Sequence, residues 1–175
     1  MTIRRAHTES AIKQALKSLQ SEAIDRIRVE FSGGGDSGQI DSVQYYTGDQ
    51  NVTGKYRDTW TYKDGKRVTT PAEKTLPTIK DWSREYGWLE DEDRYGYTTK
   101  LVEFSVDGVI ENHVYRELDG SGVDWYNNEG GQGGYSFSYD EEEDKWTYEF
   151  YIDVNYIECV TEHTVGGTID GEDEE

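Results

Sequence analysis

The chain of 175 residues is long enough for about one domain with a buried core, and its 37 acidic and 18 basic residues give a net charge of −19. A surface this acidic repels phosphates, so we expect no direct binding of DNA or RNA. A single cysteine excludes an internal disulfide, and no apolar run is long enough to span a membrane, so we expect a soluble, cytoplasmic protein.

The first part of the chain predicts one helix followed by two strands. Apolar side chains recur at helical spacing from an N-cap at Thr8 to Ala23. Alternating apolar side chains predict strands at residues 27–31 and 39–46. Between them, the glycine-rich residues 32–38 predict a wide loop that closes a hairpin, because glycine adopts backbone conformations that other residues avoid.

The middle of the chain predicts a second hairpin and two helices. Residues 56–69 surround an Asp-Gly pair, which is a strong hairpin signal. Residues 78–89 place apolar side chains on one side of a short helix. Residues 101–118 fit both a hairpin that turns at Asp107-Gly108 and an amphipathic helix, and we predict the helix.

The last part of the chain shows the clearest β-pattern. Alternating aromatic residues predict strands at residues 135–139 and 146–154, the second of which we expect to continue through Cys159. From Gly166 onward we expect disorder. The elements together predict an α+β fold, an antiparallel sheet with helices packed on one face. We expect a single domain over residues 1–165 and an acidic, disordered tail over residues 166–175.

Two glycine-rich stretches, residues 32–38 and residues 125–134, are candidates for a shared site. Both lie beside predicted strands, and loops that a rigid scaffold holds in place often carry function. The simpler interpretation is that both are only turns. If the two stretches meet, one concave site would be formed by Asp36, Ser37, Asn127, Asn128 and Glu129, with Trp125 as its roof.

Known short motifs do not explain these stretches. Residues 32–37 resemble the Ser-Gly-Gly-x-Asp-Ser pattern of the PP-loop ATP pyrophosphatases, but no helical stripe follows, and so acidic a chain suits ATP poorly. Residues 35–38 are similar to the nucleophile segment of trypsin-like proteases, whose double barrel and base this short chain does not offer. A calcium loop starting at Asp91 lacks oxygen ligands at Tyr95 and Val102, and one cysteine with three histidines makes zinc implausible. We therefore predict neither a cofactor nor a metal.

One resemblance covers about half of the chain. Residues 30–40, Glu-Phe-Ser-Gly-Gly-Gly-Asp-Ser-Gly-Gln-Ile, and residues 125–130, Trp-Tyr-Asn-Asn-Glu-Gly, resemble motifs of a family of small acidic bacterial and phage proteins of unknown function. The resemblance implies that the two glycine-rich stretches belong together, that residues 101–118 are helical and that the protein comes from a mobile element. It fails at residues 47–100, which we interpret as an insertion.

Acidic residues cluster in three runs, at residues 90–93, 140–144 and 172–175. Such runs are usually solvated loops or tails, but a clustered acidic surface can also imitate the phosphate array of DNA. We therefore predict a non-enzymatic accessory protein of a phage or other mobile element that binds a basic surface of a nucleic-acid-handling host protein, as an inhibitor that mimics DNA. The predicted binding residues are Glu90, Asp91, Glu92, Asp93, Asp140, Glu141, Glu142, Glu143 and Asp144, with Trp88 and Tyr95 as aromatic anchors.

The alternative is a small enzyme, or a protein that binds a ligand or a cation. Asp36 and Glu129 would then act as paired carboxylates or cation ligands in the glycine-rich site. The position of these two side chains discriminates between the hypotheses, because paired carboxylates must face one cleft. The sequence leaves the oligomeric state open.

Overall fold

A computed structural model describes residues 3–127 and 129–156, without the side chains of residues 3–10 and of Arg84. The helices of this part of the chain are α1 (Ile3–Gln20), α2 (Thr53–Tyr56) and α3 (Val106–Ser121). Glu90–Glu92 add one turn of 3-10 helix. The strands are β1 (Arg26–Gly34), β2 (Ser37–Thr47), β3 (Gln50–Asn51), β4 (Thr59–Lys63), β5 (Lys66–Thr70), β6 (Ile79–Leu89), β7 (Arg94–Phe104), β8 (Gly131–Asp140) and β9 (Lys145–Val154).

Five strands form one antiparallel sheet in the order β3-β2-β1-β8-β9, and β4–β5 and β6–β7 form two separate hairpins. α1 and α3 contact each other and pack on one face of the five-stranded sheet. The core side chains that the sheet contributes are Ile27, Val29, Phe31, Val43, Tyr45, Tyr135 and Phe137. The predicted α+β fold, an antiparallel sheet with helices on one face, is confirmed.

Helix α1 buries the predicted apolar stripe, but it begins and ends at other residues than predicted. Ala15 and Leu19 are completely buried in the core. The helix starts well before Thr8, so the prediction that Thr8 caps it is wrong. Ala23 adopts the left-handed conformation with a φ of 61°, which a helix cannot continue through, so its assignment to the helix is also wrong.

The first glycine-rich stretch makes a tight turn instead of the predicted wide loop. β1 and β2 stay paired as far as Gly34 and Ser37, so Gly35 and Asp36 alone connect the strands. These two residues have φ values of 59° and 80°, as the two central positions of a type I′ turn require. The prediction of a wide loop is wrong because the remaining glycines are extended members of the strands.

Residues 78–89 form strand β6, so the predicted helix is wrong. β6 pairs with β7 in register along its whole length, from Ile79 to Leu89. Its aromatic residues Trp82, Tyr86 and Trp88 all lie at even positions and therefore share one face of the hairpin. Aromatic side chains pack well across paired strands, so alternation decides the structure here against the coincidental helical spacing.

Helix α3 confirms the predicted helix from Val106 onward, and the prediction is wrong for residues 101–104, which complete β7. The hydroxyl of Ser105 caps the helix by accepting a hydrogen bond from the backbone N–H of Gly108 at 3.1 Å. Asp107-Gly108 therefore begin the helix and do not turn a hairpin. The helix ends before Gly122, which has a φ of 69°.

The other two predicted hairpins are confirmed. β4–β5 turns at Asp64-Gly65, although its first strand begins at Thr59 and not at Tyr56, which ends α2, and β8–β9 contains the alternating aromatic strands. The expected continuation through Cys159 and the expected disorder from Gly166 fall outside the described residues. The domain boundaries and the insertion at residues 47–100 stay predictions. None of the helices in the described part of the chain has the length and apolar character needed to cross a membrane.

Candidate functional site

The two glycine-rich stretches are in direct contact at one end of the sheet. The backbone N–H of Asp36 donates a hydrogen bond to the carbonyl oxygen of Tyr126 at 3.1 Å. Trp125 is only 3% exposed, and its ring packs edge-on against Phe31 with the centroids 5.2 Å apart. Trp125 is therefore part of the core, and it also lines a cavity together with Asn127, so its role as the roof of a site stays a prediction.

The glycines make this close contact possible. A Cβ at Gly33 would lie 2.7 Å from the Cβ of Tyr126, and a Cβ at Gly38 would overlap the ring of Trp125. Gly130 has a φ of 69°, and a Cβ there would collide with the carbonyl of Gly33. Since these positions leave no room for a side chain, the glycines let the second stretch pack on the first.

The polar residues predicted for this site do not all line one cavity. Asp36, Ser37 and Glu129 are exposed. The cavity at the tip of the β1–β2 hairpin has Ser37 on its wall, and the cavity beside residues 154–156 has both Asn127 and Glu129, but Asp36 lines neither. The alternative with Asp36 and Glu129 as paired carboxylates gains no support from these cavities and stays a prediction.

Hydrogen bonds inside the second stretch hold its shape. The side-chain amide of Asn127 donates to the carboxylate of Asp124 at 2.6 Å, and that of Asn155 donates to the carbonyl oxygen of Glu129 at 3.0 Å. Asn128 lies outside the described residues. Among the residues that the structure describes, no group of three or more His, Cys, Asp or Glu side chains could hold a metal ion.

Two of the predicted acidic runs lie at hairpin tips. Residues 90–93 connect β6 to β7 through the 3-10 turn and end at Asp93, which has a φ of 48°. Residues 140–144 connect β8 to β9. Residues 172–175 are outside the described part of the chain. The structure thus places two acidic runs where the chain turns in solvent.

Residues 140–144 use most of their carboxylates within the turn. The carboxylate of Asp140 accepts hydrogen bonds from the backbone N–H of Glu142 at 3.0 Å and of Glu143 at 3.2 Å. Asp144 accepts the hydroxyl of Tyr139, and Glu143 pairs with Lys145. This run therefore serves turn formation, with fewer carboxylates left for a partner.

The β6–β7 tip combines acidic residues with exposed aromatic ones. Only Glu92 of residues 90–93 has an ion pair with another described side chain, that of Arg94. On one face beside the turn, four aromatic side chains are each 50–64% exposed. We define the acidic aromatic tip as residues 90–93 with Tyr86, Trp88, Tyr95 and Tyr97.

The rings of the acidic aromatic tip pack against one another and not against the core. Trp88 and Tyr95 lie edge to face with centroids 5.1 Å apart, and Tyr86 and Tyr97 are 4.8 Å apart. Sequence reasoning identified Trp88 and Tyr95 but missed Tyr86 and Tyr97 as part of this surface. The signal was available, because Trp82, Tyr86 and Trp88 recur with the period of two that places strand residues on one face.

An ion pair between a buried carboxylate and a partly exposed arginine anchors the β6–β7 hairpin at its base. Asp81 is fully buried, and both terminal nitrogens of Arg116 on α3 lie 3.3 Å from one of its carboxylate oxygens. The other oxygen accepts the backbone N–H of Trp82 at 2.8 Å. Ile79 adds apolar contact with the core. The tip is therefore carried by a strand pair that is fixed to the domain.

Comparison with known proteins identifies the family. A family model described as "Family of unknown function (DUF6878)" matches residues 8–96, which is just over half of the chain. The chain belongs to this family. No curated protein and no solved structure matches the chain. The matched residues of this family member run from α1 through the first glycine-rich stretch to the start of β7, and they include most of the acidic aromatic tip.

Proposed function

We propose that this protein is an acidic, non-enzymatic binding protein that attaches to a basic protein surface through its acidic aromatic tip. The supporting observation is that four consecutive acidic residues lie beside four largely exposed aromatic side chains on one hairpin. A contiguous apolar surface that is exposed and surrounded by charged residues is typical of a protein interaction site.

The carboxylates and the rings suit the same partner side chains. Carboxylates accept strong hydrogen bonds from arginine and lysine. The faces of tryptophan and tyrosine attract the same cations and cover their apolar stems. Tryptophan and tyrosine are also the residues that most often dominate binding energy at protein interfaces. A surface rich in arginine and lysine is therefore the partner that this tip fits best.

We infer further that the partner handles nucleic acid and that the protein inhibits it by imitating DNA. Dense arginine and lysine residues are typical of surfaces that bind phosphate backbones. The net charge of −19 would add long-range attraction to such a surface. An origin in a phage or other mobile element, and action in the cytoplasm, agree with the resemblance of residues 30–40 and with the single cysteine.

The test is capture followed by competition. The immobilised full chain is exposed to nuclease-treated bacterial lysate at low salt, and a protein that it retains is purified. Displacement of a labelled DNA duplex from that protein by the free chain is then measured by fluorescence anisotropy. We expect displacement by the wild type, and about tenfold weaker displacement by the variant Trp88→Ala/Tyr95→Ala, because aromatic anchors carry much of the energy of an interface.

Two matched variants control for nonspecific effects. Trp60→Ala/Tyr62→Ala removes the same kinds of exposed ring from β4, and Glu149→Gln/Asp153→Asn, at two exposed positions of β9, removes the same charge as Glu90→Gln/Asp91→Asn. Both controls should displace DNA as the wild type does. Equal losses in tip and control variants, or the absence of any captured protein that prefers the wild-type tip, would contradict the proposal.

A further inference from the structure

A large apolar groove lies between α1 and the open edge of the five-stranded sheet. Its volume is 560 Å³, within the range of sites that hold small molecules. Its apolar walls are formed by Ile12, Leu16, Phe137, Trp146 and Tyr148. No residue of the acidic aromatic tip lines it, so this groove is separate from the surface used in the proposed function.

The groove follows from the topology of the sheet. β9 is an edge strand of the sheet. Its residues Tyr148 and Phe150 lie opposite Phe137 and Tyr135 of β8, on the face that the helices cover. These rings stack on Tyr135, which is fully buried, yet Tyr148 itself is 58% exposed. The two helices therefore leave part of an apolar sheet face uncovered at this edge.

The charged residues around the groove are mainly cationic, although the chain is strongly acidic. Three of its nine lysines line the groove: Lys13, Lys17 and Lys145. Asp144 is the acidic residue on the wall, and its carboxylate accepts the hydroxyl of Tyr139. Lys13 and Lys17 have no ion pair with another described side chain, whereas Lys145 pairs with Glu143.

One wall residue also has an unused hydrogen-bond donor. The indole N–H of Trp146 is buried and has no hydrogen-bond partner among the described residues. Most buried donors in native proteins are paired, and an exception points to a water, an ion or a ligand that completes it. An acceptor oxygen brought by a ligand would supply this partner.

We propose that the groove binds an amphipathic molecule with an apolar chain and a carboxylate head. The apolar walls take the chain, and the lysines at the rim favour the anionic head. Only an anionic amphiphile uses both features, because a neutral one leaves Lys13 and Lys17 without an anionic partner and a cationic one is repelled by the lysines. This ligand class is independent of whether the acidic aromatic tip has a protein partner.

Three amphiphiles of equal chain length test the proposal on the full chain: dodecanoate, dodecanol and dodecyltrimethylammonium, each below the concentration at which it forms micelles. Binding is measured by titration calorimetry and by tryptophan fluorescence. Dodecanoate should bind most tightly and the cationic compound least. Dodecanoate that binds no more tightly than dodecanol would overturn the proposal. Failure of dodecanoate to bind would also overturn the proposal. This includes the case in which a second copy of the protein, or residues 157–175 of the same chain, occupies the groove.

Matched lysine variants locate the site. Lys13→Gln/Lys17→Gln/Lys145→Gln should weaken dodecanoate about tenfold, because three exposed cations each contribute modestly, and should leave dodecanol unchanged. Lys63→Gln/Lys66→Gln/Lys100→Gln removes the same charge away from the groove and should bind dodecanoate as the wild type does. Trp146→Phe keeps an apolar ring without the N–H, and it should weaken dodecanoate more than dodecanol. Equal loss in both lysine variants would overturn the assignment to this groove.

Discussion

At the scale of single residues, the glycine-rich stretch is explained by packing. Gly35 and Asp36 form the turn, and Gly38 leaves the space that the ring of Trp125 occupies. Trp125 in turn packs on Phe31, which belongs to the core. The sequence Gly-Gly-Gly-Asp-Ser-Gly thus allows a buried tryptophan from a distant part of the chain to close one end of the sheet.

The substitution Gly38→Ala should destabilise the protein. Its new Cβ would overlap the ring of Trp125, and overpacking of this kind costs about 1–3 kcal/mol. Gly34→Ala is the matched control, because no atom lies within 4 Å of the Cβ that it adds and Gly34 has no positive φ. The free energy of unfolding in urea, followed by near-ultraviolet circular dichroism, measures both. Equal stability of the two variants would show that Trp125 does not need the space above Gly38.

His113 should make the stability depend on pH. Burial lowers its pKa below the ordinary value of 6.5, and its Nε2 lies 3.2 Å from the hydroxyl of Tyr135. As the pH falls through about 6.5, the unfolded chain binds a proton here that the folded chain does not, so the contribution of His113 is complete above this pH and is lost below it. The neighbouring charge of Glu117 opposes this shift but is the smaller effect.

The variant His113→Gln isolates this contribution. Urea unfolding at pH 7 and again about 1.5 units lower gives the loss of stability on acidification, and the carboxylates contribute equally to both proteins. We expect the wild type to lose more stability than the variant over this interval. An equal loss would mean that His113 is not protonated differently in the folded and unfolded states.

At the scale of elements, the β6–β7 hairpin depends on its base. Its outer half presents the acidic aromatic tip, and its inner half contacts α1 and α3. Asp81 and Arg116 lie where the hairpin meets α3, and the carboxylate of Asp81 is fully buried. A two-stranded hairpin is at best marginally stable alone, so these contacts decide whether the tip has a fixed structure.

Arg116→Met should therefore destabilise the hairpin. The substitution leaves a buried carboxylate without its cation, which costs about 2–3 kcal/mol here because Arg116 is partly exposed and water can replace some of the loss. The double variant Asp81→Leu/Arg116→Met removes both charges and should recover part of the stability. Urea unfolding measures all three proteins. A double variant that is less stable than Arg116→Met would contradict this role of the pair.

The elements also show what the sequence could predict. Periodicity identified α1, α3 and the closing β8–β9 hairpin because their apolar residues face one continuous core. It failed at β6 because Trp82 and Tyr86 fit a helical spacing as well as the period of two of a strand, and the exposed aromatic face gives no burial pattern that decides between them. The contact between Trp125 and Gly38 depends on the packing of residues far apart in the chain, which no local pattern encodes.

The candidate site was predictable only where its signal is local in the sequence. Charge clustering identified residues 90–93 and 140–144, and both lie at hairpin tips. The sequence alone does not reveal that the second run uses Asp140 and Asp144 to form its turn. The groove beside β9 was missed entirely, because it exists only where α1 and the edge of the sheet come together.

At the scale of the whole molecule, the net charge of −19 acts in two opposite ways. Like charges repel within the folded chain and lower its stability, while the same charges attract a basic partner. Salt screens both effects, because the Debye length falls from about 30 Å at 0.01 M to about 8 Å at 0.15 M. Folding and partner binding should therefore respond to salt with opposite signs.

We expect the melting temperature of the free chain to rise over this range of sodium chloride, while capture of a partner by the acidic aromatic tip weakens. Differential scanning calorimetry measures the first effect, and titration of the captured partner measures the second. A variant with four substitutions, Glu90→Gln/Asp91→Asn/Glu141→Gln/Glu142→Gln, has a net charge of −15 in place of −19, since each substitution removes one negative charge. Its melting temperature should rise less with salt.

A melting temperature that falls as salt is added would contradict self-repulsion. Tighter capture at higher salt would instead show that the rings, and not the carboxylates, drive binding, because salting-out strengthens apolar contacts while screening weakens ion pairs.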